Sequence, residues 1–212
     1  MAGFELIVKY FPDLSIKQTD HIAQLEQLYL HWNEKVNLIG RKDIVNLYER
    51  HILHSLAIAK FTSFKDGTKI LDGGTGGGFP GLPLAIYFPE VQFHLVDSIE
   101  KKMVAVRNIV QSLELKNVKV INDRVENLNF KYDFVVNRAL APIEQIAHWM
   151  NDKLLSKGFN DLENGFLMLK GGELANELED YKKQAQVVNL SEYYSEEFFE
   201  TKKLVYLPKM HK

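Results

Sequence analysis

The sequence predicts an α/β fold: a seven-stranded, mostly parallel, doubly wound sheet with an antiparallel strand at one edge and a helical extension in front. Three observations predict it. From residue 67 onward, short apolar runs alternate with segments of helical periodicity, the pattern of parallel βαβ units covered on both faces. The first such run ends in a turn in which five of six residues, Gly73 to Gly78, are glycine. The first third of the chain carries helical spacing alone.

In chain order, Thr19-Asp20 offers a helix cap, and Ile22, Leu25, Leu28, Trp32 and Val36 recur at helical spacing. Asn37-Leu38-Ile39-Gly40 breaks this pattern. A second helix then runs through Ile44, Leu47, Tyr48, Ile52, Leu56 and Ala59, and Gly67 closes the region. Strands are expected at 69–72, 91–97, 118–121, 132–136 and 165–169. Helices are expected at 101–115, from Pro142 to about Leu155, and at 173–184. The strands at 187–190 and 203–207 have no helix between them and should pair as an antiparallel hairpin at one edge. Residues 1–66 thus form a helical extension and 67–212 the sheet core, expected to pack as one unit.

Composition narrows the chemistry. The 212 residues contain no cysteine, which removes disulfides, thiolate metal sites and cysteine nucleophiles. The N-terminus lacks a basic region followed by a long apolar run, and no stretch approaches the roughly 20 apolar residues of a membrane span. We therefore expect a cytoplasmic protein, with no membrane association and no metal. The net charge is −2, but its distribution is uneven. Residues 101–124 hold six Lys/Arg against two acids, whereas 173–200 hold two lysines against eight acids. A balanced total can hide a basic face.

The sharpest feature is Ile70-Leu71-Asp72-Gly73-Gly74-Thr75-Gly76-Gly77-Gly78-Phe79-Pro80-Gly81. Such a turn permits positive φ and lets a ligand lie against bare backbone. In an open α/β sheet it stands at the carboxyl end of a strand, where ligands bind. A phosphate-cradling P-loop needs Gly-Lys-Ser/Thr, and no lysine occurs between Lys69 and Lys101. A dinucleotide fingerprint is matched by Gly76, Gly78 and Gly81, but it should begin directly after the strand. S-adenosylmethionine sites take an acid at the strand end followed by Gly-x-Gly-x-Gly, supplied by Asp72, Gly74, Gly76 and Gly78. Asp97 ends the second strand, where a carboxylate can accept ribose hydroxyls. That serves either nucleotide-type ligand. At the end of the fourth strand, Arg138 points toward the cleft in which a methyl acceptor would lie.

The segment Asp72 to Ala85 resembles the signature of the RsmG (GidB) family, bacterial 16S ribosomal RNA guanine-N7 methyltransferases. Further matches are Arg50-His51-Ile52-Leu53, Asp97-Ser98 with Lys101-Lys102, Arg124-Val125-Glu126, Arg138-Ala139 and Leu169-Lys170-Gly171. The resemblance implies a class I, Rossmann-like methyltransferase fold. It implies S-adenosylmethionine held by Gly74, Phe79, Val125, Glu126 and Arg138, and N7 of guanine 527 in the 530 loop of 16S rRNA as methyl acceptor. The partner would be 16S rRNA or the 30S subunit, and we expect a monomer. Three positions depart from the family pattern: Gly73 stands where Val or Ile is usual, His54 where Asp is usual, and Ala105 where Phe is common.

The expected cofactor set is therefore Gly74, Gly76, Gly78, Phe79, Asp97, Val125, Glu126 and Arg138. Arg138 is expected to position the reactants, with no general base. Arg50, His51, Lys101, Lys102, Arg124 and Lys170, with Arg107, are expected to face RNA. Two other readings remain: an NAD(P)-dependent oxidoreductase built on Gly76, Gly78, Gly81 and Asp97, and a binding protein without catalysis.

Overall fold

The computed structural model describes residues 3–210. A short helix α1 (Glu5–Tyr10) leads into α2 (Ile16–Lys35). The start of α2 lies before the Thr19-Asp20 position expected from sequence, because Ser15 caps it. Its hydroxyl accepts from the Gln18 N–H, and Gln18 Oε1 accepts the Ser15 N–H at 2.8 Å, a reciprocal capping box. Ile22, Leu25 and Tyr29 form its buried stripe. At its far end Asn33 Oδ1 takes the N–H groups of both Leu38 and Ile39 at 2.9 Å, which fixes the break at residues 37–40.

The expected helix over 44–59 is not uniform. A 3₁₀ turn (Ile44–Asn46) opens into a π-helical stretch (Leu47–Leu53), and only then does α3 (His54–Phe61) become an ordinary α-helix. The widened turns release carbonyls that side chains take up. Ser55 donates to the His51 carbonyl at 2.6 Å, and Arg138 donates to the Arg50 carbonyl at 2.9 Å. Inserted donors of this kind are a recognised cause of helix distortion.

The sheet follows: β1 (Lys69–Gly73), α4 (Gly81–Tyr87), β2 (Gln92–Asp97), α5 (Glu100–Ser112), β3 (Val118–Asn122), β4 (Phe134–Arg138), α6 (Ile143–Met150), β5 (Gly165–Gly171), β6 (Gln186–Asn189) and β7 (Lys202–Pro208). Its order is β3-β2-β1-β4-β5-β7-β6. Strands β1 to β5 pair in parallel, and β7 runs antiparallel to both β5 and β6. The last two strands pair at the edge as expected. The antiparallel one is β7, one place in, with β6 outside it. Strand order reverses between β1 and β4, so the crevice of a doubly wound sheet opens above those two strand ends.

Alternation along the strands feeds two cores. Ile70, Phe93, Leu95, Phe134, Val136 and Leu167 join α1 through α5 on one face, whereas Leu71, Val96, Val135, Phe166 and Met168 join α6 on the other. The helices before residue 62 share the first of these cores.

One expected helix is absent. Residues 173–184 form successive turns with a single 3₁₀ segment (Glu179–Tyr181). Intrinsic propensity favoured a helix, but the Glu177 carboxylate is drawn inward to the Lys170 ammonium at 2.7 Å and the Ile143 N–H at 3.0 Å. This tertiary demand overrides propensity.

Candidate active site at the glycine turn

The turn after β1 is shaped from both sides. Gly74, Gly76 and Gly78 have φ of +69°, +56° and +96°, a region that side chains with a Cβ rarely occupy. A Cβ on Gly81 would lie 2.2 Å from Leu95 Cδ2 and 2.7 Å from Asp72 Oδ2, so this glycine lets α4 close onto β1 and β2. Asp72 is fully buried and ties the turn together. Its Oδ2 accepts from the Thr75 hydroxyl at 2.6 Å and the Gly81 N–H at 2.7 Å. Burial pushes its carboxyl up to about 7, against the pull of those two donors. Its Oδ1 is buried with no partner, an acceptor of the kind an ammonium group satisfies.

Beside the turn lies a cavity of about 310 Å³ lined by Gly74, Asp97, Val125, Leu140 and Trp149 among others. Of the expected cofactor residues, Gly74, Asp97, Val125 and Glu126 line it. Gly76 adjoins it, because its N–H donates to Asp97 Oδ2 at 2.9 Å. Asp97 Oδ1 takes the Ile99 N–H, also at 2.9 Å. Two backbone donors thus hold the carboxylate at the end of β2, and its remaining lone pairs are open. Leu140 and Trp149 escaped the sequence reading. Leu140 lies over Gly74, 2.3 Å from where a Cβ would stand. Trp149 belongs to the amphipathic pattern of α6, which signals packing and not a ligand. A larger groove of about 1080 Å³ along α6 shares only Trp149 with this cavity and contains none of the turn glycines.

Gly78, Phe79 and Arg138 form a second group, on the side of the turn facing the N-terminal helices. Phe79 is buried, with its ring 5.0 Å from Tyr29, 5.2 Å from His51 and 4.9 Å from the Arg138 guanidinium carbon. The Tyr29 hydroxyl donates to the Gly77 carbonyl at 2.6 Å. Arg138 Nη1 donates to the Arg50 carbonyl, and Nη2 to His51 Nδ1, both at 2.9 Å. Burial lowers Arg138 to about 10, opposed by Asp72, Tyr29 and Asp43, so it stays cationic at neutral pH. His51 Nε2 donates to Asp43 Oδ2 at 2.7 Å. Burial and then the Arg138 charge hold His51 down to about 4, so its ring is neutral.

The chain matches the family GidB, rRNA small subunit methyltransferase G, over residues 18–205. It belongs to that family. Ribosomal RNA small subunit methyltransferase G of Christiangramia forsetii is 52% identical, covering 98% of this chain and 98% of that one. The protein of the same name from Bacteroides thetaiotaomicron is 50% identical over 95% of this chain and 98% of its own length. A solved S-adenosylmethionine-dependent methyltransferase from Aquifex aeolicus matches with a TM-score of 0.58 at 17% identity, covering 81% of this chain and all of that one. The precorrin-6y C5,15-methyltransferase of Geobacter metallireducens matches at 0.54 and 13%, over 82% of this chain and 92% of that one. Those two likenesses show the fold.

As a member of the GidB family this chain is an S-adenosylmethionine-dependent methyltransferase, which sets aside the oxidoreductase and non-catalytic readings. The cavity fits that cofactor. It offers an acidic acceptor at Asp97, apolar walls at Val125, Leu140 and Trp149, and side-chain-free backbone at Gly74. The departures from the family pattern also find places. A Cβ on Gly73 would stand 2.6 Å from Met150 Sδ, so the methionine of α6 fills the space a Val or Ile would take. His54 is buried edge-on to Phe198 and Phe199, at 5.5 and 6.0 Å, and burial holds its ring neutral. Ala105 is wholly buried on α5.

The residues expected to face RNA divide. Lys101, Arg107 and Arg124 are exposed, Lys102 is half-buried, and Arg124 borders the cavity. Arg50 reaches solvent but is paired with Asp43 at 3.1 Å. Two depart from the expectation. Lys170 is 8% exposed, and its ammonium is consumed by the Ala141 carbonyl at 2.6 Å and by Glu177, bracing β5 against the start of α6. His51 is buried and engaged on both nitrogens. Among the described residues no cluster of His, Asp or Glu is arranged to hold a metal, and no helix is long and apolar enough to cross a membrane.

Proposed function

We propose that this chain transfers the methyl group of S-adenosylmethionine to N7 of a guanine in 16S rRNA, at position 527 of the 530 loop, acting in the cytoplasm on the 30S subunit or its rRNA. The observation that carries this reading is the character of the groups around the cleft. Arg138 is cationic, His51 is neutral with both nitrogens committed, and Asp72 is turned into the fold. None of these three is free to take a proton from an acceptor, the cavity-lining carboxylate of Asp97 is assigned to the cofactor ribose, and the sequence has no cysteine to act as nucleophile. Guanine N7 suits such a site, because it carries an exposed lone pair and no proton. Its methylation needs positioning and not a base. Exocyclic amines commonly demand an Asn/Asp-Pro-Pro-Tyr/Phe segment after the fourth strand, where this chain has Asn137-Arg138-Ala139-Leu140.

S-adenosylmethionine supplies an electrophilic methyl group on a sulfonium. For this chain's own part, Asp97 would accept the ribose hydroxyls, and Val125, Glu126, Leu140 and Trp149 would enclose the adenine. The turn from Gly74 to Gly78 would admit the cofactor against backbone. Of the five N–H donors of the Arg138 guanidinium, two are spent on the π-helical stretch. The rest can orient the cofactor carboxylate or the target nucleotide. Arg124 at the cavity edge, with Lys101 and Lys102 on α5, would meet RNA phosphates. The test is methyl transfer in vitro to 30S subunits from a strain lacking the enzyme, with the product nucleoside identified by mass spectrometry. N7-methylguanosine is expected; a methyl group on any other atom would overturn the assignment.

A further inference from the structure

We propose that Asp43 and His51 are positioning residues for Arg138: the Asp43 carboxylate fixes the imidazole in its Nε2–H tautomer, and the bare Nδ1 then holds the guanidinium in place. This rests on the reading that Arg138 contacts the cofactor or target nucleotide. The chain of bonds is Asp43 Oδ2 to His51 Nε2 at 2.7 Å and His51 Nδ1 to Arg138 Nη2 at 2.9 Å. A guanidinium only donates and a carboxylate only accepts. Nδ1 must therefore be unprotonated and Nε2 must carry the proton, so a single neutral tautomer satisfies both neighbours.

The surroundings enforce the same arrangement. Asp43 Oδ1 is already taken by Arg50 Nη1 at 3.1 Å and Asn46 Nδ2 at 3.2 Å, leaving Oδ2 for the imidazole. Burial pushes the Asp43 carboxyl up, but the bonds from His51 and Asn46 and the charge of Arg50 together leave it below the ordinary range, so it is ionised. The second arm of the Arg138 fork takes the Arg50 carbonyl, a group exposed by the π-helical widening of Leu47–Leu53. The Phe79 ring lies against both His51 and Arg138. The guanidinium is thus fixed by two bonds and one ring face, with its bond to His51 dependent on a proton held elsewhere. Protonation of Nδ1 would instead set two cations face to face. π-helical turns occur often at functional sites, and here the widened turn delivers both acceptors.

The geometry yields a comparison that a purely structural role does not. In Asp43→Asn the amide oxygen must stay toward Arg50 and Asn46, which both donate, so the amide N–H₂ faces His51. It can only donate to Nε2, and the ring proton must move to Nδ1, opposite Arg138. Asp43→Ala removes the carboxylate but leaves the ring free to keep Nδ1 bare for Arg138. The asparagine variant, though nearly isosteric, should therefore be the more damaging. We expect kcat on 30S subunits to fall roughly 10- to 100-fold in Asp43→Asn, with KM little changed, and several-fold less in Asp43→Ala. Nitrogen NMR of the histidine rings, which needs no methyl acceptor, should show His51 as Nε2–H in the wild type and Nδ1–H in Asp43→Asn. His51→Gln, which offers both a donor and an acceptor, should retain more activity than His51→Ala. Equal losses in the Asn and Ala variants, an unmoved tautomer in Asp43→Asn, or no advantage of Gln over Ala at position 51 would each overturn the proposal. The tautomer result stands apart from the identity of the methylated atom, so failure here is distinguishable from failure of the proposed reaction.

Discussion

Asp97→Ala removes an acceptor that serves two tasks, and the structure allows both losses to be sized. The carboxylate of Asp97 already takes the N–H groups of Gly76 and Ile99, each at 2.9 Å. Of roughly four lone-pair sites on a carboxylate, about two then remain for ribose hydroxyls. A hydrogen bond to a charged group contributes about 1.5–3 kcal/mol. The half-exposed position of Asp97 argues for the lower end. Two such bonds amount to about 3 kcal/mol, a weakening of the S-adenosylmethionine Kd by roughly two orders of magnitude. The freed Gly76 and Ile99 amides reach water, so the fold should lose only about 1 kcal/mol, or roughly 2–4 °C in Tm. Asp97→Asn should melt lower than Asp97→Ala, because either amide orientation sets an N–H₂ against a backbone N–H. Isothermal titration calorimetry with S-adenosylmethionine, paired with a thermal melt, reads both effects. A folded Asp97→Ala variant that binds the cofactor as tightly as wild type would refute the ribose assignment.

Other expectations follow from the same geometry. Arg138→Ala should lower methyl transfer at every pH without moving the pH profile. Arg138→Lys should not restore it, since a lysine cannot serve the Arg50 carbonyl and His51 Nδ1 as a planar fork does; full activity of the Lys variant would show that charge alone matters. Gly73→Val should destabilise by about 1–3 kcal/mol through overpacking against Met150. Combined with Met150→Ala it should cost less than the sum of the two single changes in urea unfolding, and strict additivity would contradict the contact. Asp72 is raised from 3.8 to about 7 by burial. Its stabilising contribution is therefore complete below pH 3.8 and disappears as pH rises through 7. Wild type should accordingly exceed Asp72→Asn in stability by more at pH 5 than at pH 8; a difference independent of pH would argue against a protonated Asp72. Neutralising Lys101 and Lys102 together should flatten the salt dependence of rRNA binding while sparing cofactor affinity, and an unaltered slope would place the RNA surface elsewhere.

The parts of the fold that were legible in the sequence are those encoded locally. Lys69-Ile70-Leu71-Asp72 reads as a strand because it is apolar and stops at glycine, and β1 ends one residue later at Gly73. The acid at the end of β2 and the glycine turn announce a ligand site because few other roles call for that pattern. What the sequence concealed depends on partners distant along the chain. Tyr132 reads as strand but makes only an isolated bridge with Leu154, so β4 begins at Phe134. Residues 173–184 read as a helix until Glu177 is claimed by Lys170, and the same pair turns an apparent RNA-facing lysine into a buried brace. His51 and Arg138 are 87 positions apart, so neither residue's local context reveals their bond. The Ser15-to-Gln18 capping box, by contrast, was present in the sequence as Ser-x-x-Gln, and that signal alone could have placed the start of α2 correctly.

The most direct measurement is a map of N7-methylguanine in 16S rRNA from a strain in which the gene is deleted, and from the same strain complemented with wild-type or Arg138→Ala protein. Cleavage specific for N7-methylated guanine, read along the 530 loop, locates the methyl group to the nucleotide. The account predicts a signal at position 527 that vanishes on deletion, returns with the wild-type chain and fails to return with Arg138→Ala. Persistence of the 527 signal after deletion, or loss of a methyl group at a different nucleotide, would contradict it.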